Sequence, residues 1–485
     1  MGELHMEELR HFIGGRCGEP AGGELLSVVN PATEKTLARF GPASAHDVDR
    51  AVTAAAEAHH GWAALPVAER VDRIHVWADA VAEHAAELAE LECREMGKPV
   101  AVGRSFIEGA VSGLKAAAAQ ALTYPFTETV TGPDEARTDI IRHALGATAV
   151  ITPWNFPVPM VLAALGPLLA AGNTVVVKPS ERSPVSTVRL FELADRAGMP
   201  PGVLNLVLGD GRAGAALAEH EDVQLVHFTG SVGTGRAVGA ATGARLHRSV
   251  LELGGKDPVL IDAGVDPVAT AQAVAFGAFV NTGQICTSME RIYVHEQIAD
   301  EFVEALVAEA QTYTLGDGME PGTVLGPLVD EQQRDIVRRH VDDAVHKGAT
   351  LRTGGVVPER SGYFFPATVL TDVDATMLVM VEETFGPVAP VAVVRTFEEG
   401  LARAAESRYG LAATVYTDDP EHVAAATRLP AGVVWVNQWQ GGGPERLYEP
   451  ARDSGMGATG ARAAYDAATR PAAVHITPRS PRLRQ

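Results

Sequence analysis

Residues 147–178 read ATAVITPWNFPVPMVLAALGPLLAAGNTVVVK, and this stretch decides the architecture. ATAVI and TVVVK are short apolar runs, rich in β-branched residues. Between them lies the longest apolar stretch of the chain, Val158 to Ala171, of helical length but interrupted by Pro159 and Pro167. Strand, helix and strand in close succession make a parallel pair with a crossover helix. The alternation continues downstream, with VLNLVLG, QLVHFTG and SVLEL as further strands and 184–198 and 233–241 as helices. A doubly wound parallel sheet follows, a form that binds nucleotides at the carboxyl ends of its strands.

Working outward, residues 254–437 repeat the pattern. RIYVH, the run after Phe385, LAATVYT and GVVWVN read as strands, and 296–312, 330–347 and 397–407 as helices. That is a second α/β domain. Upstream, residues 43–96 are rich in Ala and Glu at helical spacing; Ser44 and Asp47 open a capped helix, and Val67 to Met96 runs to a stop at Gly97, so two long helices are expected. Residues 122–142, with their Thr, Pro and Gly, read as a β-hairpin arm, and the chain is extended again from Pro471. An arm and an extended tail point to strand addition between subunits, hence a homodimer or homotetramer.

The bulk numbers narrow the function. At 485 residues and 46% hydrophobic content the chain has enough material for two or three domains. Its net charge of -21 and the lack of a long Lys/Arg run argue against a nucleic-acid or anionic-membrane partner. Three cysteines, Cys17, Cys93 and Cys286, make no disulfide framework and no metal spacing, so the expectation is a cytoplasmic protein without structural zinc. The opening MGELHMEELRHFIGGR lacks the apolar core of a signal peptide, and no segment is long and apolar enough to span a bilayer.

Six short segments carry chemistry. Cys286, in Gly283-Gln-Ile-Cys-Thr-Ser288, is either a packed structural cysteine or a nucleophile, since a thiolate is polarisable and titrates near neutrality. Glu252, in Leu251-Glu-Leu-Gly-Gly-Lys256, is either a solvated turn residue or a carboxylate at a strand end poised as a base toward water. In Thr152-Pro-Trp-Asn-Phe-Pro157 two prolines stiffen the backbone around Asn155, whose amide N–H suits an oxyanion hole. Lys178-Pro-Ser-Glu181 closes a strand with a Lys and a Glu suited to ribose hydroxyls. Phe228-Thr-Gly-Ser-Val-Gly-Thr-Gly235 places glycines at a helix N-terminus, where backbone N–H groups and the dipole favour an anion, although it is not a GxGxxG fingerprint. Glu382-Glu-Thr-Phe-Gly-Pro387 on its own says only that an acidic pair precedes a turn.

Taken together and in this order, the six segments resemble the aldehyde dehydrogenase superfamily over nearly the whole chain, from Asn30-Pro-Ala-Thr33 to the tail. The resemblance implies a hydrolytic, non-CoA-acylating enzyme that oxidises an aldehyde to an acid through a Cys286 thioester. It implies Cys286 as nucleophile, Glu252 as general base, and Asn155 with the Cys286 backbone N–H as oxyanion hole. It implies NAD, with NADP the lesser alternative, held by Thr152, Pro153, Trp154, Lys178, Ser180, Glu181, Gly230, Ser231, Leu253, Gly254, Glu383 and Phe385. It implies a fold of two doubly wound parallel-sheet domains with a small β oligomerisation arm: 1–121 and 143–253 as NAD-binding domain with 441–465 returning to it, 254–440 as catalytic domain, 122–142 and 466–485 as arm. No metal is implied.

Two departures stand out. Where many members carry a Lys in the helix after the TPWNFP segment, this chain has Ala164; where they carry Arg-Glu after Ser-Gly-x-Gly, it has Ala458 and Thr459. That Lys and Glu form a proton path behind the base in the family, so deacylation here is expected to use another route. The stretch Gly441 to Asp453 is unusually charged and is read as part of the substrate funnel. Trp154, Met160, Ile285, Thr287, Trp439 and Leu447 are the other funnel candidates, and their character suits an uncharged aliphatic or aromatic aldehyde. Arg446 and Arg452 would suit a semialdehyde carboxylate, Glu445 and Glu449 an aminoaldehyde. The rival readings are a CoA-acylating semialdehyde dehydrogenase, an NADP-preferring or phosphorylating enzyme, and a non-catalytic binding protein on the same fold.

Overall fold

Strands Ala147–Ile151 and Thr174–Lys178 pair in parallel from Ala147–Thr174 to Ile151–Lys178, joined by the helix Pro157–Ala170. The computed structural model describes residues 7–18, 24–132, 136–441 and 446–476. In the sheet that holds this pair, five parallel strands run in the order Arg248–Glu252, Leu225–Thr229, Ala147–Ile151, Thr174–Lys178, Leu204–Leu206. Antiparallel strands close both edges, Gly455–Met456 on one side and His11–Ile13 with Arg16–Gly18 on the other. The chain enters at the middle strand, builds outward to Leu204–Leu206, and then returns to build the other half. The switch in direction lies between Ala147–Ile151 and Leu225–Thr229, so the loops after these strands diverge and open a crevice.

The second sheet runs Thr350–Thr353, Thr368–Thr371, Val388–Val394, Met289–His295, Asp257–Ile261, Ala412–Tyr416, Val433–Val436; only the first strand is antiparallel. A third sheet, the arm, pairs Thr127–Thr131 and the tail strand Thr469–Ile476 with the two edges of Arg137–Ala144. A fourth, small mixed sheet near the N-terminus sets Lys35–Phe40 between Glu7–Leu9 and Leu26–Asn30, so the architecture among the described residues is two doubly wound α/β units with two small three-stranded sheets, one of them the antiparallel arm.

Residues 43–96 form three helices, not two: Ala45–Ala64, Val67–Glu83 and Ala85–Met96. Pro66 ends the first, because its ring removes an N–H and excludes the helical continuation. His84 (φ -107°, ψ 13°) breaks the second from the third, a non-helical junction that apolar periodicity does not register. The start and stop are as expected. Ser44 and Asp47 form a reciprocal capping box, and Gly97 at φ 90° donates its N–H to Cys93 O.

The helix Pro157–Ala170 is buried over nearly its whole length and positions the loop before it. Its ends are satisfied by buried charge. At the N-terminus Val158 N–H donates to Glu92 Oε1 (3.0 Å), and Glu92 is paired with Lys98 (2.8 Å). At the C-terminus the buried Arg70 Nε donates to Ala170 O (3.0 Å). A carboxylate at the positive end and a guanidinium at the negative end both oppose the helix dipole.

Candidate active site

Cys286 follows the apolar helix Pro267–Phe279 and a tight turn, Val280–Gly283. Three successive residues in that turn, Asn281 (φ 53°), Thr282 (φ 58°) and Gly283 (φ 68°), are left-handed. Such strain persists only where the surroundings over-determine it. Here a Cβ on Gly283 would stand 2.2 Å from Gly386 O, so only glycine fits. Side-chain amides hold the turn. Asn281 Nδ2 donates to Asn155 O and Gln284 O (3.2 Å each), and Val329 N–H donates to Gln284 Oε1 (2.9 Å).

Asn155 is locked to the same turn, its Nδ2 donating to Gln284 O at 2.9 Å. A primary amide has two N–H bonds and this uses one. Asn155 and Cys286, far apart in sequence, line one cavity of about 860 Å³. Burial pushes the Cys286 thiol well above its ordinary range, and the carboxyls of Asp257, Glu383 and Glu252 push the same way. The thiol is therefore protonated at rest and needs a base to become a nucleophile.

Glu252 ends the strand Arg248–Glu252 but does not line that cavity; its carboxylate is turned toward Thr459, whose Oγ1 donates to Oε1 at 3.2 Å. Burial raises it to about 8, with the Thr459 hydrogen bond opposing.

The rest of the cavity runs to the crevice of the first sheet. Thr152, Pro153, Trp154, Lys178, Ser180, Glu181, Gly230, Ser231, Leu253, Gly254, Glu383 and Phe385 all line it, as do Met160, Ile285 and Thr287. Trp439 stands behind this lining, donating Nε1–H to Thr287 O (2.9 Å) and packing beside Ile285. Leu447 is half exposed and also outside the lining. Arg452 is tied to Ala405 O (2.9 Å), and Arg446 and Glu449 are exposed. Glu445 lies outside the described residues.

Several features suit a nicotinamide dinucleotide. Ser231 caps the helix Val232–Ala244, whose N-terminus faces the cavity. Lys178 Nζ, buried and pushed down by that burial, donates to Pro179 O and Gly209 O (2.7 Å each) and lies 3.9 Å from Glu181. Thr152 Oγ1 is buried in the wall without a hydrogen-bond partner among the described residues, which leaves it able to meet a polar ligand atom.

The Glu383–Phe385 segment is held from behind by a buried network that sequence reading missed. Glu290 accepts from Thr384 N–H (2.9 Å), Phe385 N–H (2.8 Å) and Lys256 Nζ (2.6 Å). Gln333 Nε2 donates to the carbonyls of Thr384 and Phe385 (3.0 Å each). Gly254 leaves room for the Glu383 carboxylate, since a Cβ there would lie 2.2 Å from Oε2. The Phe385 ring then meets Trp154 edge-on at 5.3 Å. Lys256 closes the LELGGK segment, where its residue type alone does not mark it as a support for Glu290. Glu290 and Gln333 give no signal as single polar residues within the strand Met289–His295 and the first turn of the helix Glu331–His346. Phe106 and Gln440, which stand in none of the six motif segments, also line the cavity.

Among the described residues, no cluster of three or more His, Cys, Asp or Glu could hold a metal ion, and no helix is long and apolar enough to cross a membrane.

Comparison with known proteins agrees with this geometry. The family model described as "Aldehyde dehydrogenase family" matches residues 19–474. A mitochondrial aldehyde dehydrogenase of Leishmania tarentolae is 36% identical over 98% of this chain and 96% of its own length. A 2-hydroxymuconic semialdehyde dehydrogenase of Pseudomonas sp. (strain CF600) is 36% identical over 94% of this chain and 96% of its own. The structure of an aldehyde dehydrogenase from Bacillus cereus in complex with NAD+ superposes with a TM-score of 0.94, at 35% identity and 97% coverage of both chains.

Proposed function

The chain belongs to the aldehyde dehydrogenase family, and from its oxidation of aldehydes to carboxylic acids as premise we propose that Cys286 is the nucleophile, Glu252 the base and NAD the cofactor. The observation that carries this is the Asn155 amide, pinned to the Cys286 turn in a cavity that continues to Lys178 and Ser231.

Once deprotonated, Cys286 Sγ attacks the aldehyde carbon. The C–S bond forms and the carbonyl π pair moves to oxygen, where the free Asn155 N–H and the Cys286 backbone N–H receive it. Asn155→Ala is expected to lower kcat about 10²–10³-fold, the usual loss for one oxyanion donor; steady-state NADH formation measures it. The nicotinamide, when bound, supplies the hydride acceptor that leaves a thioester on Cys286. Thr152, Trp154, Lys178, Ser180, Glu181, Ser231, Glu383 and Phe385 would hold that cofactor. Glu252 then takes a proton from water as the oxygen attacks the thioester, and the thiolate departs. Because burial raises Glu252 to about 8, the base form grows as pH rises. The steady rate is expected to climb through about pH 8, measured as kcat against pH.

For the cofactor, the Glu181 carboxylate at the lip favours a 2′-hydroxyl over a 2′-phosphate, so NAD is preferred. For the substrate, Phe106, Phe156, Met160 and Ile285 give the thiol end of the cavity an apolar wall, and no Arg among the described residues lines that end. An uncharged aliphatic or aromatic aldehyde fits best. The arm sheet exposes Val130, Val474 and Ile476, which supports self-association as a homodimer or homotetramer. All three cysteines are free, consistent with a reducing cytoplasm.

The test is NADH or NADPH formation with aliphatic, aromatic, amino- and carboxy-aldehydes, each with and without CoA. Faster turnover with NAD, independent of CoA, on the uncharged set is expected. A strict need for CoA would instead favour the acylating branch, and turnover confined to charged aldehydes would overturn the substrate class.

A further inference from the structure

Among the described residues the Glu252 carboxylate has one side-chain hydrogen-bond partner, Thr459. The hydroxyl of Thr459 faces two acceptors at once, Glu252 Oε1 at 3.2 Å and Tyr448 O at 3.4 Å, and it has one proton to give. Its place is fixed by backbone. Tyr448 N–H donates to Thr459 O (2.9 Å) and Thr459 N–H to Tyr448 O (2.7 Å). A few residues earlier, Gly455–Met456 pairs with Leu251 and Glu252 themselves, and Leu253 N–H donates to Ser454 O (2.9 Å). The segment Tyr448–Thr459 is thus laced to the strand that bears the base.

A base in hydrolysis passes through two states with opposite needs. The carboxylate needs a donor; the carboxylic acid needs an acceptor for its new proton. A hydroxyl answers both. We propose that Thr459 is a positioning residue for Glu252: its hydroxyl donates to the carboxylate before water is activated, then accepts from the carboxylic acid while turning its own proton to the Tyr448 carbonyl. No proton crosses Thr459. The one taken from water stays on Glu252, and the hydroxyl only reorients. This rests on the reading of Glu252 as the base. It also gives a use to a residue that stands where many members of the family carry a glutamate.

Removing the hydroxyl costs the charged form more than the neutral form, because hydrogen bonds to ionised groups are the stronger ones. Among the described residues, the other titratable groups close enough to Glu252 to interact with it electrostatically are the Cys286 thiol and the Tyr448 hydroxyl, and Asp257 and Arg446 act on Tyr448 in turn. None of them changes in Thr459→Val.

The measurement is carboxylic acid release in a single turnover, with full-length enzyme in excess over the fastest aldehyde of the panel, as a function of pH. Thr459→Val, Thr459→Ser and Glu252→Gln are compared with wild type. For Thr459→Val, acid release is expected to slow about tenfold at pH 7 and its acid limb to move up by about one pH unit. The rate of NADH formation in the same turnover should stay at wild type, and Thr459→Ser should recover most of the rate of acid release. A Thr459→Val profile that overlays wild type while Glu252→Gln is slow overturns the role of Thr459 alone. NADH formation that slows in step with acid release does the same, since the defect is then structural. Wild-type acid release by Glu252→Gln removes the base assignment and this proposal with it.

Discussion

Cys286→Ala is expected to abolish aldehyde oxidation, lowering kcat by at least about 10⁴-fold, because on the proposed mechanism no other group takes over a covalent step of this kind. The other two cysteines cannot substitute. Cys17 is exposed on the edge strand Arg16–Gly18, and Cys93 is buried in the helix Ala85–Met96, its thiol pushed up to about 12 by that burial. The substitution removes one sulfur from a cavity wall and leaves untouched the amide bonds that hold the turn, which come from Asn155, Asn281 and Gln284. The fold and cofactor affinity should therefore be kept. Cofactor binding followed by fluorescence, alongside NADH formation by absorbance, separates the two properties. Turnover within tenfold of wild type would remove Cys286 from the role of nucleophile.

Glu252→Gln should split the reaction in time. One equivalent of NADH per active site is expected to form at close to the wild-type rate, followed by steady turnover about 10²–10⁴-fold slower, the range that a general base contributes. The exchange is nearly isosteric, and the amide oxygen still accepts the Thr459 hydroxyl, so the segment laced to this strand keeps its place. The rise of the steady rate through about pH 8 should vanish with the carboxyl that causes it. Stopped-flow absorbance gives burst and steady phase in one trace. If the burst is lost as well, Glu252 also takes the proton of the Cys286 thiol, which burial keeps protonated at rest.

Much of this site was legible as a line of residues because its parts sit at strand ends and turns, where the chemistry leaves local marks. Pro153 and Pro157 bracket Asn155; Lys178 ends a run of valines; Ser231 opens a helix. Each mark reflects a backbone constraint over a few residues, and the strand–helix alternation around 147–178 ordered them in one sheet. The supporting groups left no such mark. Glu290 and Gln333 act on the 383–385 backbone from positions distant in the chain, and Thr459 reaches Glu252 only because Gly455–Met456 adds an antiparallel strand to the edge at Arg248–Glu252. Likewise, the break at His84 follows from local dihedrals that hydrophobic spacing does not encode.

The sequence by itself determined the class of fold and the family and named Cys286 and Glu252 as the candidate nucleophile and base, since these rest on periodicity and on short motifs whose residues are neighbours in the chain. Only the tertiary structure decided what surrounds them. It turned Glu252 away from the cavity and onto Thr459, tied Arg452 to a backbone carbonyl, left Leu447 outside the lining and built the Lys256–Glu290 support behind Phe385. The reason is that hydrogen bonding and burial act at about 3 Å between groups that chain position does not relate, and the packing of the sheets and loops sets those distances.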